Sequence, residues 1–283
     1  MIQIRKLQFE DIPCAQNLVL DENWNQTPND WEILIQNPRN ICLAAELDEN
    51  LVGTASAITY DNFVAWIGML LVKREYRGRS IGKSLLISLL DQLHGITTVK
   101  LDATPAGEPI YKKLGFEEEY LINRMLGLNF SIGSIKACDH FPETIREKDI
   151  PAIIECDKRT FGADRSDLLS ALIANFPEKS LVLKQDNEIV AFCLVRKGNK
   201  YYQIGPVVAK TFEHTQILIH KALHGLDGQP VIIDILNDKN DLTEWLLELG
   251  FVKQRSFMRM FKASNDTMGL NNLYQAICGP EYG

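Results

Sequence analysis

The chain has 283 residues, 46% of them apolar and 24% charged, with a formal net charge of −7 and a pI near 5.4. That length suits two small domains better than one, and the acidic balance argues against a nucleic-acid-binding surface. No apolar run is long enough to span a bilayer, and Met1 to Leu7 alternates like a first strand with no signal-peptide block; a cytoplasmic protein without a membrane partner is the expectation.

In chain order, Asp11 with Pro13 and Thr27 with Pro28 mark the starts of two early helices. A hairpin follows from Leu43 to Ala57, turning at Asp48-Glu49-Asn50. The next strand, Phe63 to Val72, contains no carboxylate. It runs into Lys73-Arg74-Glu75-Tyr76-Arg77-Gly78-Arg79-Ser80-Ile81-Gly82-Lys83-Ser84, a tight basic turn leading into an amphipathic helix. Such a turn aims backbone N–H groups and the positive end of the helix dipole at one spot, which is an anion site. Arg77, Arg79 and Lys83 add full charges. A nucleotide-triphosphate loop needs four residues before its Gly-Lys-Ser, and Gly78 to Gly82 leaves three; no third glycine completes a dinucleotide fingerprint.

Val99 to Ala103 reads as the next strand. Thr104 is the N-cap expected for the following helix, with Pro105 in its first position and Gly115 ending it. Two strands are expected after it. Three strands followed by alternating helix and strand give an α/β mixed sheet with helices on both faces.

The second half repeats the first in order. Ile4-Arg5 recurs as Ile145-Arg146, and the hairpin recurs as Leu181 to Val195, turning at Gln185-Asp186-Asn187. Trp66-Ile67-Gly68 recurs around Ile204-Gly205-Pro206, Asp102 as Asp234, Leu114-Gly115-Phe116 as Leu249-Gly250-Phe251, and Arg124-Met125 as Arg259-Met260. This places domains at 1–130 and 143–262, joined by a turn-prone linker, with 263–283 as a tail that packs weakly or across the seam. At the loop position the second half carries Val208 to Gln216, with no glycine and with Glu213, which would repel an anion. It reads as a degenerate copy that covers the acceptor side or serves as scaffold.

The pattern Arg77-x-x-Ser80-x-Gly82, with serine in place of the middle glycine, resembles the acetyl-CoA pyrophosphate loop of the GCN5-related N-acetyltransferases. Tyr111-Lys112-Lys113-Leu114-Gly115-Phe116 is similar to a second motif of that family, and the longer wording resembles its bacterial tandem-domain subfamily. The resemblance implies two tandem domains, each a V-splayed mixed sheet, with acetyl-CoA entering the splay of the first. Leu70, Leu71 and Val72 would pair with the pantetheine arm, and an N–H near Leu70 would polarise the thioester carbonyl. Gly78, Arg79, Ser80, Ile81, Gly82 and Lys83, with Arg77, would hold the pyrophosphate. Tyr111 matches the family's acid; its plain alternative is a core aromatic.

No base is named by the resemblance, since the strand lacks an acid. Asp21, Glu22, Asp30 and Asp102 are candidates, Asp102 also reading as structural. Trp24, Asn25, Trp31 and Trp66 would frame the acceptor, because aromatic planes and an amide suit a small polar ligand; ordinary core tryptophans are the alternative. Phe161, Gly162 and Arg165 occupy the matching region of the second half. The implied activity is acetyl transfer to a small-molecule amine in a ternary complex, by a monomer or homodimer. A peptide acceptor and a non-catalytic CoA sensor remain alternatives. The six cysteines have no paired spacing and read as reduced core thiols. His220 and His224 lack a third ligand and read as a helix face, so no metal is expected.

Overall fold

A computed structural model describes residues 2–61, 63–133, 141–265 and 269–283. Most of the linker, with Cys138, and residues 266–268 of the tail lie outside the described residues.

The first half runs β1 (Gln3–Lys6), α1 (Ile12–Asp21), α2 (Pro28–Gln36), β2 (Ile41–Leu47), β3 (Asn50–Tyr60), β4 (Val64–Val72), α3 (Ile81–Gln92), β5 (Thr98–Ala103), α4 (Glu108–Lys113) and β6 (Glu117–Gly127). The second half runs β7 (Glu143–Thr144), α5 (Ile150–Phe161), α6 (Ser166–Asn175), β8 (Leu181–Gln185), β9 (Glu188–Lys197), β10 (Tyr202–Ala209), α7 (Phe212–Leu223), β11 (Val231–Leu236), α8 (Asn240–Glu248), β12 (Val252–Ala263) and β13 (Tyr274–Ala276). Both hairpins turn on two residues in the left-handed region, Asp48-Glu49 and Asp186-Asn187, as a two-residue type I′ connection requires. Thr27 and Asp30 cap α2 reciprocally.

Two local expectations are corrected. The fourth helix starts at Glu108, not Pro105: the Thr104 carbonyl accepts from the N–H of both Gly107 and Glu108 and closes a separate turn first. One long strand follows it rather than two, because Glu117 to Gly127 contains no glycine or proline until its end.

The described strands form one sheet in the order β1-β2-β3-β4-β5-β12-β6-β11-β13-β10-β9-β8-β7. The closing strand of each half is exchanged. β12 lies beside β5, β6 lies beside β11, and the two pair antiparallel at the centre. The exchange brings the repeated Asp and Arg residues into register, Asp102 opposite Arg259 and Asp234 opposite Arg124. Each pair is bidentate, at 2.8 and 2.9 Å for Arg259–Asp102 and 2.7 and 2.7 Å for Arg124–Asp234. Both pairs are buried, so each half supplies the counter-charge the other needs.

One apolar cluster sits under α3 and another under α7. A third joins the halves, with Trp31 and Trp66 of the first packed with Phe161, Leu169 and Phe192 of the second. The tail enters this seam: Tyr274, Ile277, Cys278 and Tyr282 are buried there.

Candidate functional site

β4 and β5 run parallel from Val64↔Thr98 to Ile67↔Leu101 and then separate. Among the described residues, no strand pairs with the β5-facing edge of β4 beyond Ile67. At the divergence, β4 carries an extra residue relative to β3, and Met69 adopts a left-handed φ of 52°. This bulge turns the strand and frees backbone groups near Leu70. The second half splays in the same way: β10 and β11 pair up to Ile204↔Ile233, with a shift between Ile204 and Val207. Here the gap is filled, because β13 pairs antiparallel with β10 at Val207 and Val208 and with β11 at Ile235. Equivalent gaps are therefore open in the first half and occupied by main chain in the second.

The loops differ in the same sense. Ser80 sits at the start of α3 with φ 62° and ψ 11°, so it keeps the glycine-like angle at a cost on the order of 1 kcal/mol. Its side chain makes no cap bond, which leaves the first N–H groups of α3 to face the turn. Gly78 has φ 79°. A Cβ on Gly82 would meet only the Val72 side chain, at 3.5 Å, so packing alone does not require glycine there. By contrast, the Thr211 hydroxyl caps α7 by accepting from the His214 N–H at 3.1 Å.

Arg77 and Arg74 both reach Glu22, at 2.7 and 2.9 Å, and Arg79 lies over the Tyr76 ring. Burial works to raise the Glu22 pKa, but the Arg74 hydrogen bond and the Arg77 charge outweigh it and hold the carboxyl below its usual range. A cavity of about 380 Å³ between β1, β2 and α3 includes none of these loop residues.

Tyr111 lies on α4 with its ring edge-on to Phe116 at 5.9 Å, and it shares the cluster under α3 with Leu70 and Val72. Among the described residues its hydroxyl has no hydrogen-bond partner. The residue is half-buried, and burial pushes its pKa up to about 12. It is therefore held protonated at neutral pH, the form an acid needs.

The acceptor-side residues are not gathered into one pocket. Trp31 is fully buried. The Asn25 amide is engaged by the second half: its Oδ1 accepts from the N–H groups of Lys200 and Tyr201, and its Nδ2 donates to the Tyr201 carbonyl. Trp24 is half-buried against the seam. Trp66 packs between the Arg259 guanidinium and the tail, and its Nε1 donates to the Pro280 carbonyl at 3.1 Å. Arg165 is buried, bidentate to Asp157, and donates to the Gly283 oxygen at 2.9 Å.

Of the acids, Asp21 accepts from Arg74 through its carbonyl, Asp102 is held by Arg259, and Asp30 pairs with Arg196. From sequence the tail has two readings, weak packing or packing across the seam, and no assigned functional residue; a further signal was the apolar, strand-like run Tyr274-Gln275-Ala276-Ile277-Cys278. Cys42, Cys193 and Cys278 are buried free thiols, and burial pushes those of Cys42 and Cys278 up to about 12. His220 Nε2 lies 2.8 Å from the Gly133 carbonyl oxygen.

Two family models match the sequence. The acetyltransferase (GNAT) family matches residues 3–116, and an acetyltransferase (GNAT) domain matches residues 153–275. The chain belongs to the GCN5-related N-acetyltransferases. Its two copies lie in tandem, each with the splayed mixed sheet described above. This N-acetyltransferase is 27% identical over 211 residues to the uncharacterized N-acetyltransferase YitH of Bacillus subtilis (strain 168), covering 75% of this chain and 74% of YitH. It is 23% identical over 276 residues to the holothin acyltransferase of Pseudoalteromonas sp. (strain SANK 73390), covering 97% and 92% of the two chains. A solved acetyltransferase candidate from Pyrococcus horikoshii superposes with a TM-score of 0.83 at 27% identity, covering 100% of this chain and 96% of the other. No helix among the described residues is long and apolar enough to cross a membrane.

Proposed function

We propose that the first half binds one acetyl-CoA between β4 and β5 and transfers its acetyl group to the amine of a small molecule by direct attack. The observation that carries this reading is the pair of equivalent splays, one open and one filled by β13. The residues present fit the ligand. The uncapped start of α3, the left-handed Gly78 and Ser80, and the bare Cα of Gly82 form an anion cradle beside an unpaired strand edge. When bound, acetyl-CoA would supply an activated acetyl thioester. Leu70, Leu71 and Val72 would align it through main-chain groups, and an N–H near Leu70 would polarise its carbonyl. Arg77, Arg79 and Lys83 would neutralise its phosphates, and Tyr111 would hand a proton to the departing sulfur. No equivalent binding is expected in the second half, where main chain already takes up the hydrogen bonds a pantetheine arm would use.

A small acceptor is favoured over a polypeptide because residues 277–283 close in on β4 at the seam. That the holothin acyltransferase is a relative along most of both chains points the same way. The test is release of free CoA with a panel of small amines and with peptides. Replacing Tyr111 by Phe is expected to lower kcat ~100-fold or more with acetyl-CoA affinity unchanged; unchanged turnover would remove Tyr111 from the mechanism.

A further inference from the structure

Residues 277–283 reach β4 where the open splay begins. A Cβ on Gly68 would stand 2.9 Å from the Glu281 Cα and 3.1 Å from its Cβ. The Tyr60 hydroxyl donates to the Tyr282 carbonyl at 2.8 Å, which pins the segment to the first half. β4 carries no acid of its own, and this segment brings the main chain and Cβ of a glutamate to that point, its carboxylate turned to Arg196 and Gln26.

The surroundings of Glu281 are unbalanced in charge. Glu281 and Asp30 of α2 both pair with one guanidinium, that of Arg196 of β9. Gln26 Nε2 donates to Glu281 at 2.7 Å, and the Tyr282 hydroxyl donates to Asp30 at 3.0 Å. The Gln26 Oε1 and Arg196 Nε atoms are buried without partners, so hydrogen-bonding capacity is left over beside the carboxylate. The titratable groups facing Glu281 are Arg196, Asp30, and Tyr282 and Cys278 of its own segment. Burial raises its pKa, Arg196 opposes this, and Asp30 adds to it; the net direction is up. Two carboxylates against one guanidinium take up one proton at little electrostatic cost.

We propose that Glu281 accepts the proton of the attacking amine, supplying the base that β4 lacks. This rests on the acetyl-transfer reading above. The amine nitrogen forms the bond to the acetyl carbon, the carbon–sulfur bond breaks, the amine proton passes to Glu281, and the sulfur takes the Tyr111 proton. Both residues then re-equilibrate with solvent.

Glu281→Gln leaves Arg196 paired with Asp30. It is expected to lower kcat ~100-fold or more, to abolish the acid limb of the kcat pH profile, and to leave calorimetric acetyl-CoA binding unchanged. Asp30→Asn removes the neighbouring negative charge, so the limb should move to lower pH. In protein without acetyl-CoA, the Glu281 carboxyl ¹³C resonance should titrate above the usual glutamate range and shift down in Asp30→Asn. Wild-type turnover in Glu281→Gln, or a limb and resonance that Asp30→Asn leaves unmoved, overturns the assignment; the second criterion decides alone if Glu281→Gln fails to fold. A wild-type protein that acetylates no amine refutes the acetyl-transfer reading and this inference with it, whereas transfer that survives in Glu281→Gln refutes this inference alone.

Discussion

Replacing Gly82 by leucine is expected to abolish acetyl-CoA binding while leaving the unfolding free energy within about 1 kcal/mol of wild type. Gly82 lies in the first turn of α3, outside the positive-φ set, and a Cβ there meets the Val72 side chain at an ordinary 3.5 Å. The folded protein therefore has no strong need of glycine, and on local grounds a side chain improves helix propensity. On the proposed reading the ligand does need it, because backbone N–H groups at this helix start would have to approach the pyrophosphate closely. Alanine should give a smaller loss of affinity with equal or higher Tm. Opposite signs for stability and affinity, read by thermal unfolding and calorimetry, separate a ligand cradle from a helix start. Undiminished binding in the leucine variant would move the phosphate site elsewhere.

Replacing Asp102 by alanine is expected to cost about 3–5 kcal/mol of stability. It strands the buried Arg259 guanidinium, which keeps, among the described residues, the Tyr120 hydroxyl and ring and the face of Trp66. A guanidinium does not give up its proton in a folded protein, so Arg259 stays charged without Asp102 and cannot escape the penalty by neutralising. Because Arg259 belongs to the second half and Asp102 to the first, the damage should appear in one cooperative transition of the whole chain. Combining Asp102→Leu with Arg259→Met should recover much of the loss, since it removes both charges. Urea denaturation followed by two probes, one in each half, checks this. A first half that melts alone while the second is unaffected would contradict the exchanged architecture.

The shape of the turn from Arg77 to Lys83 was legible because its signals are local. Glycine and serine at fixed offsets, three cations and a following amphipathic helix act within a dozen residues, and the structure realises them at Gly78, Ser80 and Gly82. The hairpin turns and the starts of the early helices were legible for the same reason. The exchange of β6 and β12 was not. A strand's periodicity says which face is buried, not which neighbour it takes. The repeated Asp102/Asp234 and Arg124/Arg259 were visible in sequence, but that each aspartate takes the arginine of the other half follows only from the global pairing. The tail was under-read because Asn and Gly after Ala263 suggest a loose end, whereas Tyr274 to Ala276 form a strand that completes the second half's sheet. Asn25 and Trp31 have the chemistry of ligand contacts, yet a neighbouring domain and a core can use the same amide and the same ring.

The central claim is that the open gap beside Val64–Val72 is the one acetyl-CoA site and that β13 forecloses its counterpart. Calorimetric titration of the wild-type chain with acetyl-CoA, repeated with Gly82→Leu, tests it most directly. The expected result is one equivalent bound per chain by wild type and none by the variant. Two equivalents, or one equivalent retained in Gly82→Leu, would contradict it.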